Sequence, residues 1–304
     1  MYSANGKLLL TSEYYVLDGA LALAVPTTFG QKLKVKETED VGVLLWESQE
    51  VDGTPWFKAS FTIPGLTCIS STDTDIAKTL HSFLEILQKA NPEKFSSKKG
   101  LSFSTHLDFP RDWGLGTSST LISLLSQWTD YDPYQLLFET MGGSGYDIAC
   151  AESVKPLLYQ LENYDKRKVE TVDFNPSFAD QLYFIYLGKK QNSRSGITHY
   201  RKMTDNKDAE IKRLTEITQE IITCRSLSLF CELITEHEAI IGGKLKLPIV
   251  KETHFKDFPG AIKSLGAWGG DFILVASDGA EEEVRDYFNK KGMEVFFKYK
   301  EMVL

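Results

Sequence analysis

Short apolar runs separated by turn residues open the chain. GKLLL (6–10) and ALALAV (20–25) read as strands of a small sheet, with a turn at Asp18-Gly19. In QKLKVKE (31–37), Leu33 and Val35 share one side and lysines the other, the alternation of a half-exposed strand. VGVLLWESQEVDGTPWFKASF (41–61) predicts a hairpin around Asp52-Gly53. The period then changes. From Asp75 to Ala90, Ile76, Leu80, Phe83, Leu84 and Leu87 recur at helical spacing. Leu101, Phe103, Thr105, Leu107 and Phe109 alternate again, and LISLLSQW (121–128) returns to a helix. Asp132-Pro133 suits a helix start with proline in its first turn.

The texture shifts near Asn175-Pro176. QLYFIYLG (181–188) is a new apolar strand, followed by the polar loop KKQNSRSG (189–196). Residues 206–241 are mostly helical in pattern. AIKSLGAWGGDFILVAS (261–277) sets a glycine-rich turn before a strand. EEEVRDYFNKKG (281–292) then predicts a helix, and MEVFFKYK (293–300) a last strand. Strands first, then mixed helices and strands in both halves, predict an α+β fold. The two expected domains are 1–175 and 176–304.

Composition narrows the function. With 304 residues, 42% of them hydrophobic, the chain can bury an ample core as one large or two medium domains. The net charge of -8 argues against nucleic-acid binding, which normally needs a basic surface. No apolar run approaches the ~18 residues of a membrane span. MYSANGKLLL lacks the basic region and long apolar run of a secretory signal. Cys68, Cys150, Cys224 and Cys231 form no C-x-x-C pair, which fits reduced thiols. The expectation is a soluble cytoplasmic protein, monomer or homodimer, acting on a small molecule with neither nucleic acid nor membrane as partner.

Four stretches carry candidate chemistry. In DWGLGTSST (112–120) two glycines and a row of hydroxyls lie between a strand and a helix. Unpaired N–H groups and the helix dipole make such a turn an anion site, with phosphate the leading ligand. Gly114 and Gly116 allow close approach; Thr117, Ser118 and Ser119 can donate to phosphate or ligate a hard cation. A glycine turn with a serine cap would look the same by itself. In GGSGYDIA (142–149), Asp147 follows a glycine-rich bend and can take a proton from a hydroxyl, or simply cap the next helix. GAWGGD (266–271) is another glycine turn, and GKLLLTSEYYVLDG (6–19) carries Lys7 and Glu13. The G-x-x-x-x-G-K-[ST] loop, the H-R-D loop and a D-F-G triplet are all missing, and Ser119 replaces the third glycine of a dinucleotide fingerprint.

In this order the stretches resemble the GHMP kinase superfamily. ANGKLLLTSEYYVLDG is similar to its first motif, A-P-G-K-hydrophobics-G-E. PRDWGLGTSST is similar to its second, P-x-x-x-G-L-G-S-S-A, and GAWGGD to its third, G-A-G-G-G. Together they span Ala4 to Asp271, nearly the whole chain. GSGYDIA and GGD resemble stretches of the phosphomevalonate kinase branch, and Asp147 matches the aspartate of the mevalonate kinase branch. The resemblance implies a ribosomal-protein-S5-like N-terminal domain and a ferredoxin-like C-terminal domain holding ATP and Mg2+ between them.

By that resemblance, Gly114, Leu115, Gly116, Thr117, Ser118 and Ser119 bind the ATP phosphates. Ser118 and Glu139 hold the metal, Asp147 and Lys7 are catalytic, and Glu13 supports Lys7. Gly145, Tyr146, Gly266, Ala267 and Gly269 line the substrate, with Lys189, Lys190 and Arg194 holding a second anionic group or forming a solvated basic loop. Three residues depart from the motifs: Asn5 for proline, Ser12 for glycine, and Trp268 for a glycine, which crowds the third turn. The expected activity is transfer of the γ-phosphoryl group to a mevalonate-like acceptor. Alternatives are phosphomevalonate kinase, a sugar or homoserine kinase, and a ligand-binding protein without catalysis.

Overall fold

The computed structural model describes residues 1–96, 98–163, 166–189, 193–203, 205–266 and 271–304, with the backbone alone at 193 and 194. The chain divides into two compact units. One comprises 1–6, 29–111 and 115–152; the other comprises 7–28, 112–114 and 153–304. Strands β1 (Tyr2–Leu9) and β2 (Ala22–Thr38) contribute residues to both.

In the first unit, β3 (Val43–Gln49), β4 (Pro55–Thr62), β5 (Cys68–Ser71) and β6 (Gly100–Leu107) join β2 in the order β5-β4-β3-β6-β2. Pairing is antiparallel except between β3 and β6. Helices α1 (Thr74–Ala90), α2 (Thr117–Thr129), α3 (Pro133–Thr140) and α4 (Tyr146–Glu152) pack on one face of this sheet. Phe57, Phe61 and Phe103 from the strands meet Phe83, Leu84, Leu125 and Ile148 from the helices. The other face carries Lys32, Lys34 and Lys36, as the alternation predicts. Local chemistry sets the helix starts. Asp73 accepts from the backbone N–H groups of Asp75 and Ile76 to cap α1. Asp132 caps α3 in the same way, with Pro133 just inside.

The second unit continues from β2 into β7 (Leu157–Asn163) and β8 (Lys166–Thr171). Further along are β9 (Leu182–Tyr186), α5 (Ser193–Arg201), α6 (Asp208–Thr223), α7 (Leu227–Leu245), α8 (Val250–His254), β10 (Ala261–Ser264), β11 (Phe272–Ala276), α9 (Glu281–Lys290), β12 (Phe296–Lys298) and α10 (Tyr299–Met302). The second sheet is antiparallel, in the order β10-β11-β9-β12. Tyr183, Ile185, Ile273 and Val275 on one of its faces pack with Val284 and Phe288 of α9. A second cluster joins Tyr14 and Tyr15 to Tyr200, Leu214 and Ile241.

Two elements differ from the pattern. The runs expected as separate strands at 20–25 and 31–37 lie on one 17-residue strand, β2. Pro26 lies within it, and the C-terminal segment runs alongside, with Thr27 bridged to Val303. Leu304 N–H donates to Pro26 O at 3.1 Å, and Thr28 Oγ1 donates to Glu301 O at 2.7 Å. The last strand is shorter than 293–300. Glu301 Oε2 accepts from Lys298 N–H at 2.9 Å, and this cap turns the chain into α10.

Candidate active site

The glycine turn at 112–120 ends a 3-10 turn (Arg111–Trp113) and begins α2. Gly114 and Gly116 have φ of 68° and 96°, the left-handed region open to glycine at little cost. Gly116 is the N-cap of α2 and supplies no side chain to the first N–H groups of the helix. That leaves donors for an anion. Ser118 is exposed and Thr117 half-buried. Ser119 is buried, its hydroxyl donating to Gly116 O at 2.8 Å. Leu115 is fully buried and anchors the turn.

In the same unit, α4 packs against α2. Asp147 lies in the first turn of α4, half-buried, and its Oδ1 accepts from Ile148 N–H at 3.2 Å. Gly142, Gly143 and Gly145 lead into that helix with φ of 67°, 114° and 90°. Tyr146 is half-buried. Glu139, near the end of α3, is exposed. Its Oε1 accepts from Gln135 Nε2 at 2.7 Å and Tyr131 Oη at 3.4 Å.

The second unit gathers parts of the first and third motifs, the start of the second, and the edge of the basic loop. Lys7 Nζ donates to Gly114 O at 2.9 Å, across 107 positions of sequence. The buried Asp271 carboxylate lies against the Cα of Gly114, where a Cβ would stand 2.2 Å from Oδ2. A Cβ on Gly266 would be 3.3 Å from the same oxygen. Asp271 N–H donates to Lys189 O at 2.8 Å, tying the exposed Lys189 to this cluster. Lys190, Ala267, Trp268 and Gly269 fall outside the described residues, as does the side chain of Arg194. Lys7 and Asp147 belong to different units.

Glu13 heads a sealed group that sequence reasoning missed. Lys263 of β10 forms an ion pair with its Oε1 and donates to Ser264 O at 2.8 Å. Ser264 donates to Glu238 Oε1 through its N–H at 3.1 Å and its hydroxyl at 2.8 Å. His237 Nε2 accepts Ser12 N–H at 2.7 Å and lies 3.6 Å from Glu13 Oε2. All four ionisable side chains are at most 2% exposed. Burial pushes the Glu13 carboxyl up against the opposing charge of Lys263. Burial, and secondarily Lys263, holds His237 well below its ordinary range. Ser12 and Tyr14 flank Glu13 with φ of 64° each. A non-glycine residue pays ~1–2 kcal/mol for that conformation. Tyr14 stacks on Tyr200, and its hydroxyl lies over Gly196 of α5, where a Cβ would stand 2.5 Å away.

Burial raises Glu238 to about 7, opposed by Lys263 and the Ser264 hydrogen bonds and reinforced by Glu13. The native state therefore holds this proton more tightly than the unfolded chain. The associated stability is full below the ordinary carboxylate value of 4.5 and is lost as pH rises through about 7. Glu238→Gln copies the protonated acid. Between about pH 5 and 8 its melting temperature should fall less than that of the parent. Parallel melting curves for the two proteins would contradict this assignment.

No protein-family model matches the chain, and no curated protein sequence does. Solved structures do. A Methanococcus jannaschii mevalonate kinase is 16% identical, with a TM-score of 0.68 over 97% of this chain and 96% of that one. A Streptococcus pneumoniae phosphomevalonate kinase, solved with phosphomevalonate and AMPPNP, is 14% identical with a TM-score of 0.73 over 98% and 99%. The fold is that of the GHMP kinases. A Lactococcus lactis galactokinase solved with galactose aligns over 97% of this chain and 91% of its own, at 13% identity and a TM-score of 0.66. The GHMP fold thus covers acceptors as unlike as a sugar and a phosphorylated acid, and it does not choose between them. Among the described residues, no helix is long and apolar enough to cross a membrane.

Proposed function

We propose that the chain is an ATP-dependent kinase of a small-molecule acceptor, with mevalonate the first candidate. One observation carries this reading: Lys7 and Asp271 meet at Gly114, with the main chain of Lys189 alongside, although the sequence scatters them from one end of the chain to the other. A lysine ammonium on the carbonyl of a glycine-rich turn, with an uncapped helix start just beyond, suits a polyphosphate. Phosphoryl transfer needs mainly positioning and charge neutralisation, and these groups supply both.

The N–H groups at the start of α2 would cradle the phosphates, and Lys7 would offset charge on the transferring group. Asp147 would orient the acceptor hydroxyl and take its proton. Mg2+ suits the hydroxyls of Thr117 and Ser118, being a hard cation that keeps most of its shell as water and phosphate oxygen. Bound there it would neutralise phosphate charge. Glu139 is the carboxylate we assign to the metal together with Ser118, and it would have to leave Gln135 to serve. A base is useful for a hydroxyl acceptor and needless for an ionised phosphate, which favours mevalonate. The basic residues Lys189, Lys190 and Arg194, and the likeness of GSGYDIA and GGD to the phosphomevalonate kinase branch, favour a phosphorylated acceptor, so phosphomevalonate is the second reading. A soluble cytoplasmic enzyme, monomeric or dimeric, and a functional division near residue 175 complete the proposal.

Calorimetric titration with ATP-Mg tests the nucleotide half of this reading. One saturable site is expected, and absence of binding contradicts it. Ser118→Ala should keep the parent's melting temperature yet need several-fold more Mg2+ for half-maximal turnover. Identical Mg2+ dependence would remove Ser118 as a ligand.

A further inference from the structure

The sealed group beneath Glu13 does something the proposed chemistry leaves unused. His237 Nε2 faces the N–H of Ser12 at 2.7 Å, so that nitrogen must present its lone pair. The ring proton then sits on Nδ1, which is buried and has no protein partner among the described residues. Glu13 Oε2 and Glu238 Oε2 are likewise buried without a hydrogen-bond partner among the described residues. A group with three unmatched polar atoms is a poor device for stability alone. One of its contacts reaches the turn after β1, where His237 meets the Ser12 peptide. Ser12 holds a left-handed φ of 64° where glycine would be at ease. Its N–H goes to His237 and its hydroxyl donates to Leu21 O at 2.7 Å. Backbone outliers of this kind persist where surrounding contacts over-determine them, often at functional sites.

This turn follows the end of β1. Leu10 and Thr11 both donate their N–H groups to Leu23 O, and Ser12 comes next. Lys7 is on the same strand, with Nζ on Gly114 O. We propose that His237 is a positioning residue for Lys7: as the neutral Nδ1–H tautomer it holds Ser12 in its left-handed turn and so fixes the end of β1. The inference rests on the kinase reading for the role of Lys7, though not for the hydrogen bond itself. The ionisable groups facing the imidazole are Glu13 from the turn, Lys263 from β10 through Glu13, and Glu238 beside it on α7.

Two measurements test it. Nitrogen-15 NMR of imidazole-labelled parent protein should show an unprotonated Nε2 for His237 that does not titrate between about pH 5.5 and 8. An Nε2–H tautomer overturns the proposal whatever the enzyme does. The second is a double-mutant cycle between position 12 and position 237. His237→Gln, whose carbonyl can accept the Ser12 N–H, should keep kcat within about threefold. His237→Phe should lower kcat by about tenfold with little change in the ATP KM, the mark of lost transition-state placement. In Ser12→Gly, where the turn needs no support, His237→Phe should cost no more than about twofold. An equal loss in both backgrounds, or a loss of stability alone, overturns the proposal. If His237→Phe does not fold, the Gln variant and the tautomer decide. A parent that turns over no acceptor defeats the kinase reading and the role for Lys7, while the tautomer still decides the turn.

Discussion

Lys7→Met should lower kcat by ~10²–10³-fold, the loss found when one preorganised electrostatic donor is removed from a transition state. The substitution keeps most of the length of the side chain and removes its charge and its hydrogen bond to Gly114 O. Lys7 is half-buried on a paired strand, so fold and melting temperature should hold. Its ammonium sits on the Gly114 carbonyl, at the turn we assign to the phosphates. The loss should therefore appear chiefly in kcat, with ATP affinity changed by a few-fold at most. Steady-state kinetics with a melting curve checks both halves. A variant with more than about a third of the parent kcat would mean that Lys7 merely braces the turn.

Asp147→Asn should cost ~10²–10⁴-fold in kcat on a hydroxyl acceptor, the usual worth of a general base. Asparagine preserves the shape and can keep the contact with Ile148 N–H, so the backbone of α4 should stay as it is. ATP binding should change little, because we assign the phosphates to the turn before α2 and not to α4. Turnover close to that of the parent would remove the base role. It would also favour an acceptor that is ionised already, as a phosphate is.

The parts legible in sequence are those with local causes. Helix α1 announces itself through an apolar face and an aspartate cap. The glycines of the second motif and of the GGSG bend stand at positive φ, where glycine is the residue without penalty. Long-range closure was not legible. Nothing local tells that Lys7 reaches Gly114 or that Asp271 lies against its Cα; the resemblance gave Lys7 and the turn roles at one site but not these contacts. The β7–β8 hairpin escaped because KRKVET is largely exposed and shows no alternation. His237 and Glu238 escaped for the opposite reason. TEHEAII lies in a stretch read only as helical, yet both side chains are buried beside Lys263 of β10. A lysine inside the apolar run AIKSL was the available signal, since a buried ammonium requires a buried acid.

The central claim is phosphoryl transfer from ATP to a small acceptor. Phosphorus-31 NMR of the protein with ATP and Mg2+, run against mevalonate, phosphomevalonate, homoserine and galactose in turn, tests it most directly. Stoichiometric ADP and a new phosphorylated product are expected with one acceptor, mevalonate first, and both signals should be lost in Asp147→Asn. ATP left intact with every acceptor, by a protein that binds ATP-Mg, would contradict it and leave a ligand-binding protein of the same fold.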